Sequence, residues 1–240
     1  MVLRVLDNPE ALARAAASHW LERVAARADL VMAAPAGRTP KLTYECLREE
    51  SERRRVSLAR TRVFAVDELC APAPADGYFW RHVREGLLGW AGIPDANCHR
   101  FDPDAADLDG MCGAIEQRIA EVDGLDLVVL GLGPNGHLAS NEPGSRFDTR
   151  TRPVRLLPET VAYILTASDA DPRVTDRAVT LGLGTIADAH EVLMLVTGAG
   201  KRERLRHALT GPITPKCPAS MLQRHPSAVV FADRAAAGSL

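Results

Sequence analysis

The stretch GLGPNGHLASNEPGS (residues 131–145) sets a histidine, a carboxylate and an amide close together behind an apolar run. His137 stands five residues before Glu142 and two after Asn135. An imidazole moves protons near neutral pH. A nearby carboxylate can tune it or relay its proton, and an amide can orient the ring. Gly133 and Gly136 flank Pro134 and Asn135, which allows tight turns. The pattern suits proton transfer to a bound small molecule. An ordinary Gly-rich turn with a structural histidine is the alternative.

Three other turns carry similar potential. VDEL (66–69) puts Asp67 and Glu68 at the end of an apolar run. Successive strand side chains alternate, so only one of the two can point readily into a cleft. There it could act as a general base; a solvated or helix-capping acid is the alternative. PAGRTP (35–40) offers Gly37 for close backbone approach, then Arg38 and Thr39 ahead of a helix. A helix N-terminus with a hydroxyl and a guanidinium suits a phosphate. TGAGK (197–201) lacks the full phosphate-loop spacing, yet Lys201 can place a point charge on an anion.

These turns need rigid elements to hold them. Asn8 and Pro9 open a helix through NPEALARAAASHWLERVAAR. The runs ADLVMAA, RVFAVDEL, LDLVVLGLG, RAVTLGLGTI, EVLMLVTG and SAVVFAD read as short strands, several of them buried on both faces. KLTYECLREESERR, FWRHVREGLLGWAG, MCGAIEQRIAEV and GKRERLRHALTG read as helices between them. The alternation predicts an α/β protein with a doubly wound, mostly parallel sheet and helices on both faces, as a single domain over residues 1–240. In such sheets ligands bind beyond the carboxyl ends of the strands, and all four turns fall there.

Composition narrows the partners. A net charge of −2 with 25% charged residues shows no basic excess of the kind nucleic-acid binders carry. The five cysteines are dispersed, with no CxxC, which speaks against a disulfide framework or a zinc site. No signal peptide opens the chain, and no apolar run reaches the roughly 18 residues of a membrane span. The expectation is a cytoplasmic protein with no membrane or nucleic-acid partner.

The motifs AGRTPKLTY, FAVDEL, DLVVLGLGPNGHLASNEPGS, TRTR, VTLGLGTIADAHEVLMLVTGAGK and MLQRHPSAVVFAD together resemble the glucosamine-6-phosphate deaminase family, related to the 6-phosphogluconolactonases. NEPGS, TRTR and LQRHP are similar to the deaminase branch. The resemblance implies ring opening of an amino-sugar phosphate, aldose–ketose isomerisation and loss of ammonia to give fructose 6-phosphate. It places the enolisation base on Asp67, the ring-opening histidine on His137 and its carboxylate partner on Glu142. Asn135 falls where many members have aspartate. Thr39, the amides of its turn and Lys201 match the phosphate site, with Gly37, Arg38, Glu68 and Gly136 expected close by. The resemblance implies neither a metal nor an organic cofactor. A lid segment is expected at about residues 150–176.

Three positions depart from the family pattern. Arg38 stands where a small residue is usual, and Leu165 aligns with the arginine of the lid. Arg38 is therefore expected to supply the lost charge. Asn135 lends no negative charge to an imidazolium, so His137 stays neutral more readily. The alternatives are a sugar lactonase, a deaminase of a modified amino-sugar phosphate, or a non-catalytic sugar-phosphate sensor on the same fold. The chain lacks the C-terminal extension of hexameric members, so a monomer or small homo-oligomer is expected.

Overall fold

A computed structural model of the chain describes residues 1–74, 76–166, 173–238 and 240. The first half runs β1 (Val2–Leu6), α1 (Pro9–Ala26), β2 (Val31–Ala34), α2 (Arg38–Arg54), β3 (Arg62–Ala65), β4 (Asp67–Leu69), α3 (Tyr78–Val83), α4 (Gly89–Ala91), β5 (Cys98–His99) and α5 (Leu108–Glu121). It continues with β6 (Leu127–Gly131), β7 (Arg152–Arg155), α6 (Pro158–Ile164), β8 (Arg177–Thr180) and α7 (Leu183–Ala187). Last come β9 (Glu191–Val196), α8 (Arg202–Thr210), β10 (Ala228–Asp233) and α9 (Arg234–Ala237). Local chemistry sets several helix starts. Asn8 Oδ1 accepts from the Ala11 N–H at 2.8 Å, with Pro9 leading α1. Asp107 Oδ1 does the same for Gly110 at 2.9 Å and starts α5.

Seven strands form a parallel sheet in the order β1-β10-β9-β6-β2-β3-β5. The inner strands β2 and β9 are apolar and buried along almost their whole length, as continuous rather than alternating hydrophobic runs require. From β2 the chain steps outward through β3 to β5, then returns to β6 and moves the other way through β9 to β10. Right-handed crossovers in opposite directions put the connecting helices on opposite faces. The order in which strands are added thus reverses between the parallel neighbours β2 and β6, which opens a crevice beyond their carboxyl ends. The turns after β2, β3, β6 and β9 all emerge along that edge.

A second sheet, antiparallel, has the order β4-β8-β7. Its register pairs Asp67 with Thr180, and Thr180 with Arg152. These three residues form one cross-strand row. A small apolar cluster of Leu69, Tyr78, Leu156 and Ala178 packs beneath this sheet, apart from the main core.

The expected strands need two corrections. RVFAVDEL is not one strand: it breaks at Val66, and the chain passes from the large sheet into the small one. RAVTLGLGTI does not join the parallel sheet. Only its first four residues are strand, antiparallel to β4, and Leu183 onward is helix α7. Gly182 stands between this strand and α7, where a Cβ would collide with the backbone of Thr149 and Arg150. Of the expected lid segment, residues 167–172 lie outside the described residues. Among the described residues no helix is long and apolar enough to cross a membrane.

Candidate active site

Strand β6 delivers the loop that holds His137. The Gly133 N–H donates to the His137 carbonyl at 3.0 Å and closes the loop. A Cβ at residue 133 would collide with the imidazole, so only glycine lets the ring lie on this backbone. Across the loop, Nδ1 of His137 stands 3.6 Å from Glu142 Oε2. Glu142 is 7% exposed. Its Oε2 accepts from Asn135 Nδ2 at 2.8 Å, and its Oε1 from the Leu157 N–H at 3.2 Å. Burial pushes the Glu142 carboxyl up. The His137 ring, the Thr160 hydroxyl and the Asn135 amide outweigh that and hold it at about 2. At this distance the two face each other without a hydrogen bond, and the carboxylate charge favours the tautomer with its N–H on Nδ1 and Nε2 free for a ligand.

Asn135 was expected to orient the imidazole, and here the structure differs. Its amide N–H binds Glu142, while its Oδ1 accepts the backbone N–H of His137 at 3.2 Å. It positions the carboxylate and the loop rather than the ring. Gly136 is also corrected. Its N–H bonds the Gly133 carbonyl and its carbonyl takes the Ala219 N–H. Its N–H is committed to the protein and its carbonyl already accepts one bond, so no Gly136 donor is left for a substrate.

The Asp-Glu pair divides as strand alternation requires. Glu68 turns inward at 0% exposure. Its carboxylate accepts the N–H groups of Leu69, Tyr78, Phe79 and Trp80 at 2.8–2.9 Å and caps the start of α3. It is a structural anchor, and its expected place beside the substrate is withdrawn. Asp67 turns the other way and is half-buried. Its Oδ2 accepts from Ser140 Oγ at 2.7 Å, which ties it to the His137 loop. Burial raises its carboxyl to about 7, with the Ser140 hydroxyl acting against the rise and the Glu68 charge adding to it. A carboxyl near neutrality can both take and return a proton.

A third group of side chains surrounds the turns after β2 and β9. The hydroxyls of Thr39 and Thr197 bond at 2.7 Å and join the two turns. Gly37, at φ +121°, precedes the first turn of α2 and leaves its amides open to an anion. From α6, Tyr163 leans over both turns. The Arg38 guanidinium lies 5.3 Å from its ring centroid, and the Lys201 ammonium 4.7 Å. Arg38 Nη2 also donates to Thr166 Oγ1 at 2.5 Å. Among the described residues no carboxylate pairs with either cation. Burial, then the Arg38 charge, lowers Lys201 to about 8. Leu165 is exposed at the end of α6 and contributes no charge.

Residues 7–231 match the model of one family, glucosamine-6-phosphate isomerases/6-phosphogluconolactonase. The chain belongs to this family. A glucosamine-6-phosphate deaminase of Cutibacterium acnes is 37% identical over 242 residues, covering 100% of this chain and 92% of its own length. One from Rhodopirellula baltica is 34% identical, covering 99% and 95%. Among solved structures, a monomeric glucosamine-6-phosphate deaminase superposes with a TM-score of 0.93 at 28% identity, over 99% of both chains. A 6-phosphogluconolactonase of Trypanosoma brucei reaches 0.75 at 28% identity, over 100% of this chain and 98% of that one.

In this member of the isomerase/lactonase family the candidate site also brings in residues that sequence reasoning did not single out. Ser140 sits inside the His137 loop, but only the folded chain, which sets that loop against β4 and β8, shows that it meets Asp67. Thr160 and Tyr163 come from α6, whose sequence PETVAYI carries no site-like pattern. Thr197 precedes the GAGK turn, where a hydroxyl was visible without its partner Thr39.

Proposed function

We propose that the chain is a glucosamine-6-phosphate deaminase, converting glucosamine 6-phosphate and water to fructose 6-phosphate and ammonia. The observation that carries this is the Ser140–Asp67 hydrogen bond, which brings a near-neutral carboxyl onto the loop of His137 and Glu142. His137 Nε2 takes the proton of the anomeric hydroxyl and returns one to the ring oxygen, and Glu142 stabilises the imidazolium between these steps. Asp67 then removes the proton from carbon 2. That C–H pair becomes the bond between carbons 1 and 2, and the carbonyl pair moves onto oxygen 1, which takes a proton from the substrate's own ammonium and so frees the nitrogen lone pair. The nitrogen lone pair next forms a double bond at carbon 2 as carbon 1 takes the proton from Asp67. Water hydrolyses the resulting iminium to the ketose and ammonium.

The phosphate rests on the α2 amides and Thr39, between Lys201 and Arg38. Helix α6 acts as the lid, with Tyr163 holding both cations in place. The enzyme works as a monomer or small oligomer, and a phosphorylated sugar substrate goes with a cytoplasmic setting. The deaminase relative at 37% identity, and a deaminase structure that superposes better than the equally identical lactonase, support this branch. An assay of ammonia release from glucosamine 6-phosphate, beside hydrolysis of 6-phosphogluconolactone, tests it. Lactone hydrolysis without ammonia release would reverse the assignment.

A further inference from the structure

Ser140 has no acid–base chemistry of its own, yet it is the best-fixed neighbour of Asp67. It is 4% exposed. Its N–H donates to Thr180 Oγ1 at 3.2 Å, and Thr180 is the residue in register with Asp67. Thr180 is itself fully buried and also receives Asn141 Nδ2 at 3.4 Å. Ala139, just before, holds φ at +51°, a left-handed conformation that non-glycine residues seldom adopt. The loop is therefore bent for the Ser140 side chain to reach Asp67. An ionised carboxylate only accepts, so the hydroxyl is the donor in the 2.7 Å bond to Oδ2. Among the described residues nothing donates to Oδ1.

We infer that Ser140 is a positioning residue for proton transfer: it holds Asp67 by Oδ2 and reserves Oδ1 as the oxygen that takes the proton from carbon 2 and returns it to carbon 1. This rests on the reading of Asp67 as the base. One carboxylate oxygen aimed along a single direction serves both carbons from the same face of the intermediate. The hydroxyl also stabilises the charged form of a carboxyl that burial disfavours, so Ser140 keeps the base ionised at the pH where it works.

The test is the acid limb of the kcat–pH profile in Ser140→Ala, Ser140→Cys and Ser140→Thr, with circular dichroism checking the fold of each. A hydrogen bond to a charged group is worth about one pH unit. The alanine variant moves the limb upward by about that much, so turnover on the acid side falls about tenfold, while KM holds. Cysteine, a weaker donor of similar size, moves it part of the way. Threonine keeps the donor and leaves the limb in place. An unmoved limb in the alanine and cysteine variants, or an equal shift in all three, overturns the role of Ser140. Asp67→Asn is measured alongside. Turnover within tenfold of the unmodified enzyme would remove Asp67 as the base, a failure separate from that of Ser140.

Discussion

Arg152 Nη1 donates to Asn141 Oδ1 at 2.8 Å, and Nη2 of the same guanidinium donates to Ser145 Oγ at 3.2 Å. One side chain thus spans the turn that carries Glu142. Arg152 is also the third residue of the row that begins at Asp67 and passes through Thr180. The row meets the His137 loop at three points: Asp67 at Ser140, Thr180 at Ser140 and Asn141, and Arg152 at Asn141 and Ser145. The small sheet is therefore the jig that fixes Asp67 relative to His137 and Glu142.

Arg152 touches no reacting atom in this scheme, so its loss acts through the loop. Arg152→Ala is expected to lower kcat about ten- to hundredfold, the worth of one or two charge-assisted hydrogen bonds, with KM changing far less. Arg152→Lys recovers only part, because an ammonium does not present two parallel donors to Asn141 and Ser145. Steady-state kinetics on the three proteins check this. A change confined to KM would show that Arg152 serves binding instead.

Glu142 predicts a pH dependence of stability. Its folded value near 2 lies below its ordinary 4.5. The ionised form is favoured by folding, so its contribution is complete above about pH 4.5 and disappears as pH falls through 2. The full difference amounts to about 3 kcal/mol as an upper limit. Glu142→Gln removes this titration. Its melting temperature is expected to lie below that of the unmodified protein at pH 7, with the gap narrowing towards pH 2. Thermal unfolding across that range measures it, and a gap that stays constant with pH would contradict the assignment.

Much of this was legible in the sequence because buried parallel strands announce themselves. VMAA, LVVLG and EVLMLV are apolar runs followed by glycine or small residues, so their carboxyl ends, and the turns beyond, are easy to place. β1, β5 and β7 gave no such signal. β1 is an exposed edge strand, β5 is two residues long, and β7 contains a proline and stays partly exposed. Alternation in VDEL showed that one carboxylate faces the cleft. Which one it is depends on the start of α3, ten residues further on, where four N–H groups claim Glu68. Asp67, Thr180 and Arg152 are joined by register, and Ser140 to them by hydrogen bonds, tertiary facts with no local periodicity. The same holds for Tyr163, which reaches Arg38 and Lys201 across more than a hundred and about forty positions of chain respectively.

That pair of cations gives the last prediction. Lys201 sits near 8 because burial, and secondarily the Arg38 charge, disfavour its ammonium. A phosphate monoester is already a dianion above about pH 6. KM for glucosamine 6-phosphate is therefore expected to be lowest below pH 8 and to rise as Lys201 loses its proton. In Arg38→Ala two effects separate. At pH 7 one cation is missing from the phosphate, and KM rises about tenfold, the worth of a charge-assisted hydrogen bond. At higher pH the repulsion on Lys201 is gone, so it keeps its proton longer, and the upturn in KM moves to higher pH. An unphosphorylated amino sugar, which offers these cations no anion, shows neither effect. KM profiles from pH 6 to 10 for both proteins and both sugars distinguish these outcomes. If Arg38→Ala leaves KM for the phosphorylated sugar unchanged at pH 7, Arg38 serves only to hold Tyr163 and Thr166, and the phosphate is gripped by Lys201 and the α2 amides alone.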